Sequence, residues 1–85
     1  METIQYIMMP NSKECRAQLQ TTKSLVEERG FKFEIVDIEM LKKHDEIAGL
    51  HLHGLPTVRR EGHKDVFGRY SKEDLEALLA EDLNG

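Results

Sequence analysis

The sequence predicts an α/β fold in which three helices flank a four-stranded mixed sheet. Four short segments are rich in β-branched, aromatic or continuously apolar residues, and three others carry apolar residues at the spacing of an amphipathic helix. Their order along the chain is βαβαββα. The helix between the first two strands makes a right-handed crossover and a parallel pair, and the final hairpin adds an antiparallel edge.

Turn and breaker residues bound each of the four predicted strands. Pro10 ends the first strand, which is rich in β-branched and aromatic residues. The second strand alternates at its start and then becomes continuously apolar, as a strand entering a buried sheet position does. Pro56 is tolerated because it is the first residue of the third strand, and 61–64 form a hairpin turn. The predicted strands are 3–9, 31–38, 56–60 and 65–68.

The three predicted helices have recognisable starts. Asn11 or Ser12 caps the first helix, and Gly30 follows its last residue as a C-cap glycine does. The second helix is predicted near 42–50. Ser71 caps the last helix, whose inner face carries leucines as far as Leu83.

Length and composition indicate one small soluble domain over 1–85. Of its 85 residues, 39% are hydrophobic and 33% charged, which is typical of a globular chain. No apolar run approaches the roughly 20 residues that span a bilayer, and no secretory signal is visible. A single cysteine excludes an internal disulfide, so we expect a cytoplasmic protein. The net charge of −4 argues against nucleic acid or an anionic membrane as partner, and we expect a monomer.

Four segments, in their order and at this chain length, point to one family. They are Glu27-Glu28-Arg29-Gly30-Phe31, Phe33-Glu34-Ile35-Val36-Asp37-Ile38, Leu55-Pro56-Thr57-Val58 and Phe67-Gly68-Arg69-Tyr70-Ser71. Over nearly its full length the chain resembles the glutaredoxins and the small redoxins that serve ribonucleotide reductase. The resemblance implies a thioredoxin-like fold and thiol–disulfide exchange. It also implies glutathione or a disulfide-containing protein as substrate, with a reductase or ribonucleotide reductase as partner.

The family's Cys-x-x-Cys motif at the start of the first helix is incomplete, because Cys15 is the only cysteine. Two registers are open. If the motif is 15–18, Cys15 is the attacking cysteine and Gln18 stands at the resolving position. If it is 12–15, Cys15 is the resolving residue and Ser12 has the nucleophile's place. The long loop before Cys15 favours the first register, in which the motif is 15–18.

In this leading interpretation, Cys15 is the nucleophile of a monothiol oxidoreductase. The thiolate is the reactive form, and a helix N-terminus favours negative charge. Lys13 and Arg16 flank Cys15 and would stabilise the anion, whereas Glu14 opposes it. Cys15 would attack a glutathione mixed disulfide and be released by a second glutathione. The alternative for this residue is a small, buried and inert cysteine beneath the helix.

The resemblance also assigns a substrate platform. It implies that Pro56 is a cis-proline and that Leu55 offers its backbone N–H and C=O to an extended peptide or to glutathione. Gly68, Arg69 and Ser71 lie in the loop and helix start that in glutaredoxins help to hold the γ-glutamyl end of glutathione. Glutaredoxins usually carry Gly-Gly and an acidic residue there, so the basic Arg69 leaves room for a protein partner instead.

Two other interpretations accompany the enzyme hypothesis. One is a non-catalytic binding module that kept the fold, lost the dithiol and binds a peptide or protein beside Pro56. The other is a dithiol redoxin from which a cysteine was removed, with Ser12 the obvious site. No zinc-ligand spacing joins Cys15 to the four histidines, and the Cys-Gly-Phe-Ser motif of cluster-binding glutaredoxins is absent. We therefore expect glutathione as the one cofactor and no metal.

Overall fold

The computed structural model describes residues 2–41 and 44–80 and confirms the predicted βαβαββα order. The strands are β1 (Thr3–Met8), β2 (Lys32–Asp37), β3 (Thr57–Arg60) and β4 (Val66–Phe67), and the helices are α1 (Lys13–Glu28), α2 (His44–Gly49) and α3 (Lys72–Leu79). The predicted role of Leu83 lies outside the described residues. No helix in the described ranges is long and apolar enough to cross a membrane.

The four strands form one mixed sheet in the order β2-β1-β3-β4. β1 runs parallel to β2, with α1 as the crossover between them, and antiparallel to β3. β4 pairs with β3 as the second strand of a hairpin. The four-stranded mixed sheet and the three helices are thus as predicted, and β1 is enclosed between two neighbours.

The element bounds differ from prediction where local hydrogen bonds and dihedral angles intervene. β4 is shorter than 65–68 because Gly68 adopts a φ of +70°, outside the extended region. A 3₁₀ turn at Ile38–Met40 was not predicted. It begins where the Asp37 carboxylate accepts a hydrogen bond from the Glu39 N–H at 2.8 Å, which draws the chain out of the extended conformation.

The main core lies between one face of the sheet and the helices α1 and α3. Alternating residues of β1 point into it, together with Val58 of β3 and the inner faces of both helices. Its buried members are Ile4, Tyr6, Met8, Cys15, Val26, Val58, Leu75, Leu78 and Leu79. On the opposite face Ile7 is also fully buried. β1 is therefore buried along its length on the helix face and at Ile7 on the opposite face.

The predicted helix caps are present. The Ser12 hydroxyl accepts a hydrogen bond from the first turn of α1, and Gly30 follows that helix with a φ of +86°. Ser71 and Asp74 form a reciprocal capping box at the start of α3. The Ser12 and Ser71 caps satisfy backbone N–H groups that a helix start leaves unpaired, and the Gly30 N–H donates to the Glu27 carbonyl at the end of α1.

Arg60 is a buried cation that joins three elements. Its residue is 5% exposed, and its Nε and Nη2 donate to the two carboxylate oxygens of Glu2 at 2.9 Å each. Its Nη1 donates to the carbonyls of Leu78 and Ala80, both at 2.8 Å, and the guanidinium lies 4.9 Å from the centre of the Phe31 ring. Arg60 therefore holds the end of α3 and the start of the sheet against β3.

We predict that Arg60→Met lowers the free energy of unfolding by about 2–3 kcal/mol, because buried carbonyls lose their donor and Glu2 loses its partner. Urea unfolding measures the change. The matched control is Arg29→Met, which removes an exposed arginine 3.9 Å from Glu76 and should cost less than about 0.5 kcal/mol. Equal losses in the two variants would contradict the role given to Arg60.

A pH dependence follows from the same contact. The hydrogen bonds from Arg60 hold the pKa of Glu2 below its ordinary value of 4.5. A lowered pKa in the folded state stabilises the protein above the unfolded-state pKa, and that stabilisation is lost as the pH falls through the folded-state pKa. Glu2→Gln should therefore be less stable than the wild type at pH 6, and the difference should vanish on acidification. A difference that persists at pH 2 would contradict this assignment.

Candidate functional site

The predicted site residues meet at one end of the sheet. Ile7 of β1 lies opposite Thr57 of β3, and Thr57 lies opposite Phe67 of β4. Because both pairs are antiparallel, the end of β1, the residues before β3 and the residues after β4 share this edge. The loop that leaves β1 then leads directly into α1. The α1 N-terminus, Leu55-Pro56 and Gly68 are thereby brought to the same end of the molecule.

The Leu55-Pro56 peptide bond is cis, as the resemblance implied. Pro56 is buried, and its carbonyl accepts a hydrogen bond from the Gly68 N–H at 2.9 Å. Leu55 itself is half-buried, and none of the described residues makes a hydrogen bond to its backbone N–H or C=O. Leu55 therefore offers one free backbone donor and one free backbone acceptor at the sheet end.

Ser12 is the N-cap of α1. It has extended backbone angles, φ −79° and ψ 123°, and its Oγ accepts a hydrogen bond from the Cys15 N–H at 3.3 Å. Lys13 is the first helical residue and is exposed. The Arg16 guanidinium donates to the Pro10 carbonyl at 2.8 Å, which ties the preceding loop back onto the helix. Ser12 and Lys13 thus stand at the surface of the helix terminus.

Cys15 lies in the first turn of α1, where both registers place it, but its exposed fraction is 0%. It belongs to the core cluster, and its backbone carbonyl accepts a hydrogen bond from the Tyr6 hydroxyl at 2.6 Å. Thiol–disulfide exchange requires the attacking sulfur to contact an incoming sulfur. The described conformation presents Ser12, and not Cys15, to such a partner.

Three side-chain hydroxyls lie close to or on α1: Tyr6 and Thr22 are buried, and Tyr70 is half-buried. Besides the Tyr6 contact, the hydroxyls of Thr22 and Tyr70 hydrogen-bond to each other. Burial raises the pKa of both Tyr6 and Tyr70, so both phenols remain protonated and able to donate at neutral pH. Sequence reasoning did not find Thr22 and Tyr70 as a pair, because residues 48 positions apart give no local signal.

A segment that we call the strap, Gly68–Tyr70, lies along α1. Gln18 Nε2 donates to the Gly68 carbonyl at 2.8 Å, and Arg69 donates to Glu14. With the contact of Tyr70 to Thr22, three strap residues meet three α1 residues spaced four apart, which share one face of the helix. Gln18, considered in sequence only as the resolving position, thus anchors the strap.

A cavity of about 520 Å³ opens between the strap and the start of α1. Its lining residues are Lys13, Glu14, Ala17, Gln18 and Arg69. Ser71, which the resemblance places where glutaredoxins hold the γ-glutamyl end of glutathione, follows the strap and is engaged in its capping box. A larger cavity of about 720 Å³ is lined by polar residues that include Gln5, Glu34 and Arg59, and contains none of the predicted site residues.

Within 2–41 and 44–80, no three His, Cys, Asp or Glu side chains are arranged to hold a metal ion. Comparisons with models of protein families and with curated proteins gave no match to this chain. The geometry of the site and the sequence resemblance are therefore what indicate a function.

The two registers of the motif make different predictions for a second cysteine. We expect Ser12→Cys to form a reversible disulfide with Cys15, because the non-helical angles of the cap let the two side chains approach. Gln18→Cys should form none, since Cβ atoms three apart within a helix are about 5–6 Å apart and a disulfide needs about 4 Å. Intact mass after mild oxidation, with alkylation of free thiols, measures both. A disulfide in the Gln18→Cys variant alone would instead support the register in which the motif is 15–18.

Proposed function

We propose that this chain is a thioredoxin-like domain of the glutaredoxin type that binds an extended peptide segment of a partner protein at Leu55-Pro56. The element order, the β2-β1-β3-β4 sheet and the cis peptide before Pro56 at the α1 end of the sheet support the fold assignment. Each of them agrees with the family that the sequence resembles.

The observation that carries the binding function is the free backbone of Leu55. Its N–H and C=O have no hydrogen-bond partner among the described residues, and they lie at the end of β3, which is already part of a sheet. An extended segment can pair with such a unit as one added rung, which supplies affinity through main-chain hydrogen bonds. The exposed N-terminus of α1 lies at the same end.

Binding without exchange is favoured over catalysis by the placement of two side chains. The surface position at the cap is held by Ser12, and an unactivated serine hydroxyl does not exchange with disulfides. The one thiol, Cys15, has no exposed surface. This arrangement supports the register in which 12–15 correspond to the family motif and Cys15 stands at the resolving position.

Monothiol exchange is the second candidate, and one observation favours it. Cys15 is in the first turn of α1, where the helix terminus stabilises a thiolate. Once exposed, that thiolate would attack the mixed disulfide of a glutathionylated protein to give a Cys15–glutathione disulfide and the thiolate of that protein. A second glutathione thiolate would then attack this disulfide, release the Cys15 thiolate and form oxidised glutathione. This route requires Cys15 to leave its buried position.

Two measurements separate the candidates. The native protein is incubated with oxidised glutathione and followed by intact mass, alongside a urea-unfolded sample as control. Amide shifts of the ¹⁵N-labelled protein are then recorded during titration with an extended peptide that lacks cysteine. We expect no adduct on the native protein, full modification of the unfolded control, and peptide-dependent shifts centred on Leu55 and Gly68.

Other outcomes are equally informative. A rapid adduct on the native protein, reversed by reduced glutathione, would establish the exchange reaction and overturn the non-catalytic assignment. Peptide shifts confined to the cavity that contains Gln5 and Glu34 would move the binding site to the other face of the sheet.

A further inference from the structure

We propose that Arg69 and Lys13 form a binding site for a carboxylate of the bound peptide, and that Glu14 occupies this site in the ligand-free chain. The proposal rests on the proposed function, since it assigns the charge of the segment that binds at Leu55-Pro56. It concerns the cavity between the strap and α1, which plays no part in the backbone pairing proposed at Leu55.

The ion pair between Arg69 and Glu14 does not have the strongest geometry available to an arginine and a carboxylate. Arg69 donates from Nε at 3.0 Å and from Nη2 at 2.8 Å, but both bonds reach the same oxygen, Oε1. The strongest arginine–carboxylate geometry engages both oxygens in two parallel bonds. The Arg69 side chain is also 84% exposed, and exposed pairs contribute little. Another carboxylate can therefore displace Glu14 at small cost.

The position of this pair connects it to the peptide site. Arg69 follows Gly68, whose N–H is bonded to the carbonyl of Pro56. Gly68 therefore joins the cavity that Arg69 lines to the Leu55-Pro56 segment. In this proposal, a side chain of a segment paired at Leu55 lies in this cavity.

The charges around the cavity define the class of ligand. Its lining holds two cations, Lys13 and Arg69, and one carboxylate, Glu14. The chain as a whole carries a net charge of −4, so this cavity is locally positive on a protein that is negative overall. Complementary charge selects partners and suppresses wrong ones. An acidic peptide fits this cavity, and a basic one does not.

Because Glu14 would compete with the ligand for Arg69, substitutions at these two residues should have distinct effects on binding. Removing the charge of Glu14 should free Arg69 and strengthen binding of an acidic peptide by about two- to fivefold, the range expected for an exposed pair. Removing the charge of Arg69 should weaken binding by about five- to tenfold. In the double variant the loss of Glu14 should bring no gain, because it has no arginine left to release.

The experiment measures fluorescence anisotropy with labelled ten-residue peptides that contain no cysteine and have amidated C-termini. One carries three glutamates, and its two relatives carry glutamine or lysine at the same positions. Each is titrated with the wild type and with Glu14→Gln, Arg69→Gln and the double variant. Lys64→Gln in the β3–β4 hairpin turn is the matched control for loss of a surface cation. A glutamine peptide with a free C-terminus tests whether a terminal carboxylate serves as well.

The expected result is tightest binding of the glutamate peptide, a gain with Glu14→Gln, a loss with Arg69→Gln and no change with Lys64→Gln. Binding of only the free-acid glutamine peptide would identify a terminal carboxylate as the ligand. Equal affinity for the three amidated peptides would overturn the carboxylate site and leave the proposed function standing. Failure of every peptide to bind would overturn both. A gain from Glu14→Gln that persists in the double variant would show that Glu14 acts by general charge and not through Arg69.

Discussion

The antiparallel pairing of β1 with β3 is the constraint on which the site depends. It places Thr57 opposite Ile7, and this register carries Leu55-Pro56 to the edge at which β1 gives way to α1. A shift of the register by one residue would turn the buried side chains of β3 to the opposite face of the sheet. The burial of Ile4, Tyr6 and Met8 in the core therefore fixes the position of the site as well as the fold.

Two kinds of contact hold the elements around that register. Buried apolar side chains fill the space between the sheet and the helices, and a few charged or hydroxyl side chains reach between distant parts of the chain. Arg60 is placed at the end of the sheet away from the site, where its donors meet the end of α3 and Glu2. The strap is placed at the site end, where Gln18 and Thr22 of α1 hold it.

The sequence was sufficient for element order, sheet composition and caps, because each leaves a local signal in periodicity or residue type. The cis peptide at Pro56 was expected only from the family resemblance, since a trans bond is commoner before proline. The sequence could not predict whether the Cys15 side chain is exposed or buried. Helical periodicity shows which residues face the core, but in the first turn of a helix a side chain on that face can still reach the surface. The sequence also could not predict Arg69 with Glu14 or Tyr70 with Thr22, which join positions about fifty residues apart. Such pairs depend on the folded register and on no pattern within a short window.

Ser12 links the stability of a helix to the kind of side chain at the candidate site, because it is the N-cap of α1. Serine is among the best N-cap residues because its hydroxyl oxygen accepts a backbone hydrogen bond, as it does here from Cys15. A thiol is a much weaker acceptor. A chain with cysteine at this position would have a thiol at the helix terminus and a weaker cap at the start of α1. The hydrogen bond that fixes the start of α1 therefore depends on a hydroxyl at the position where a thiol would be accessible.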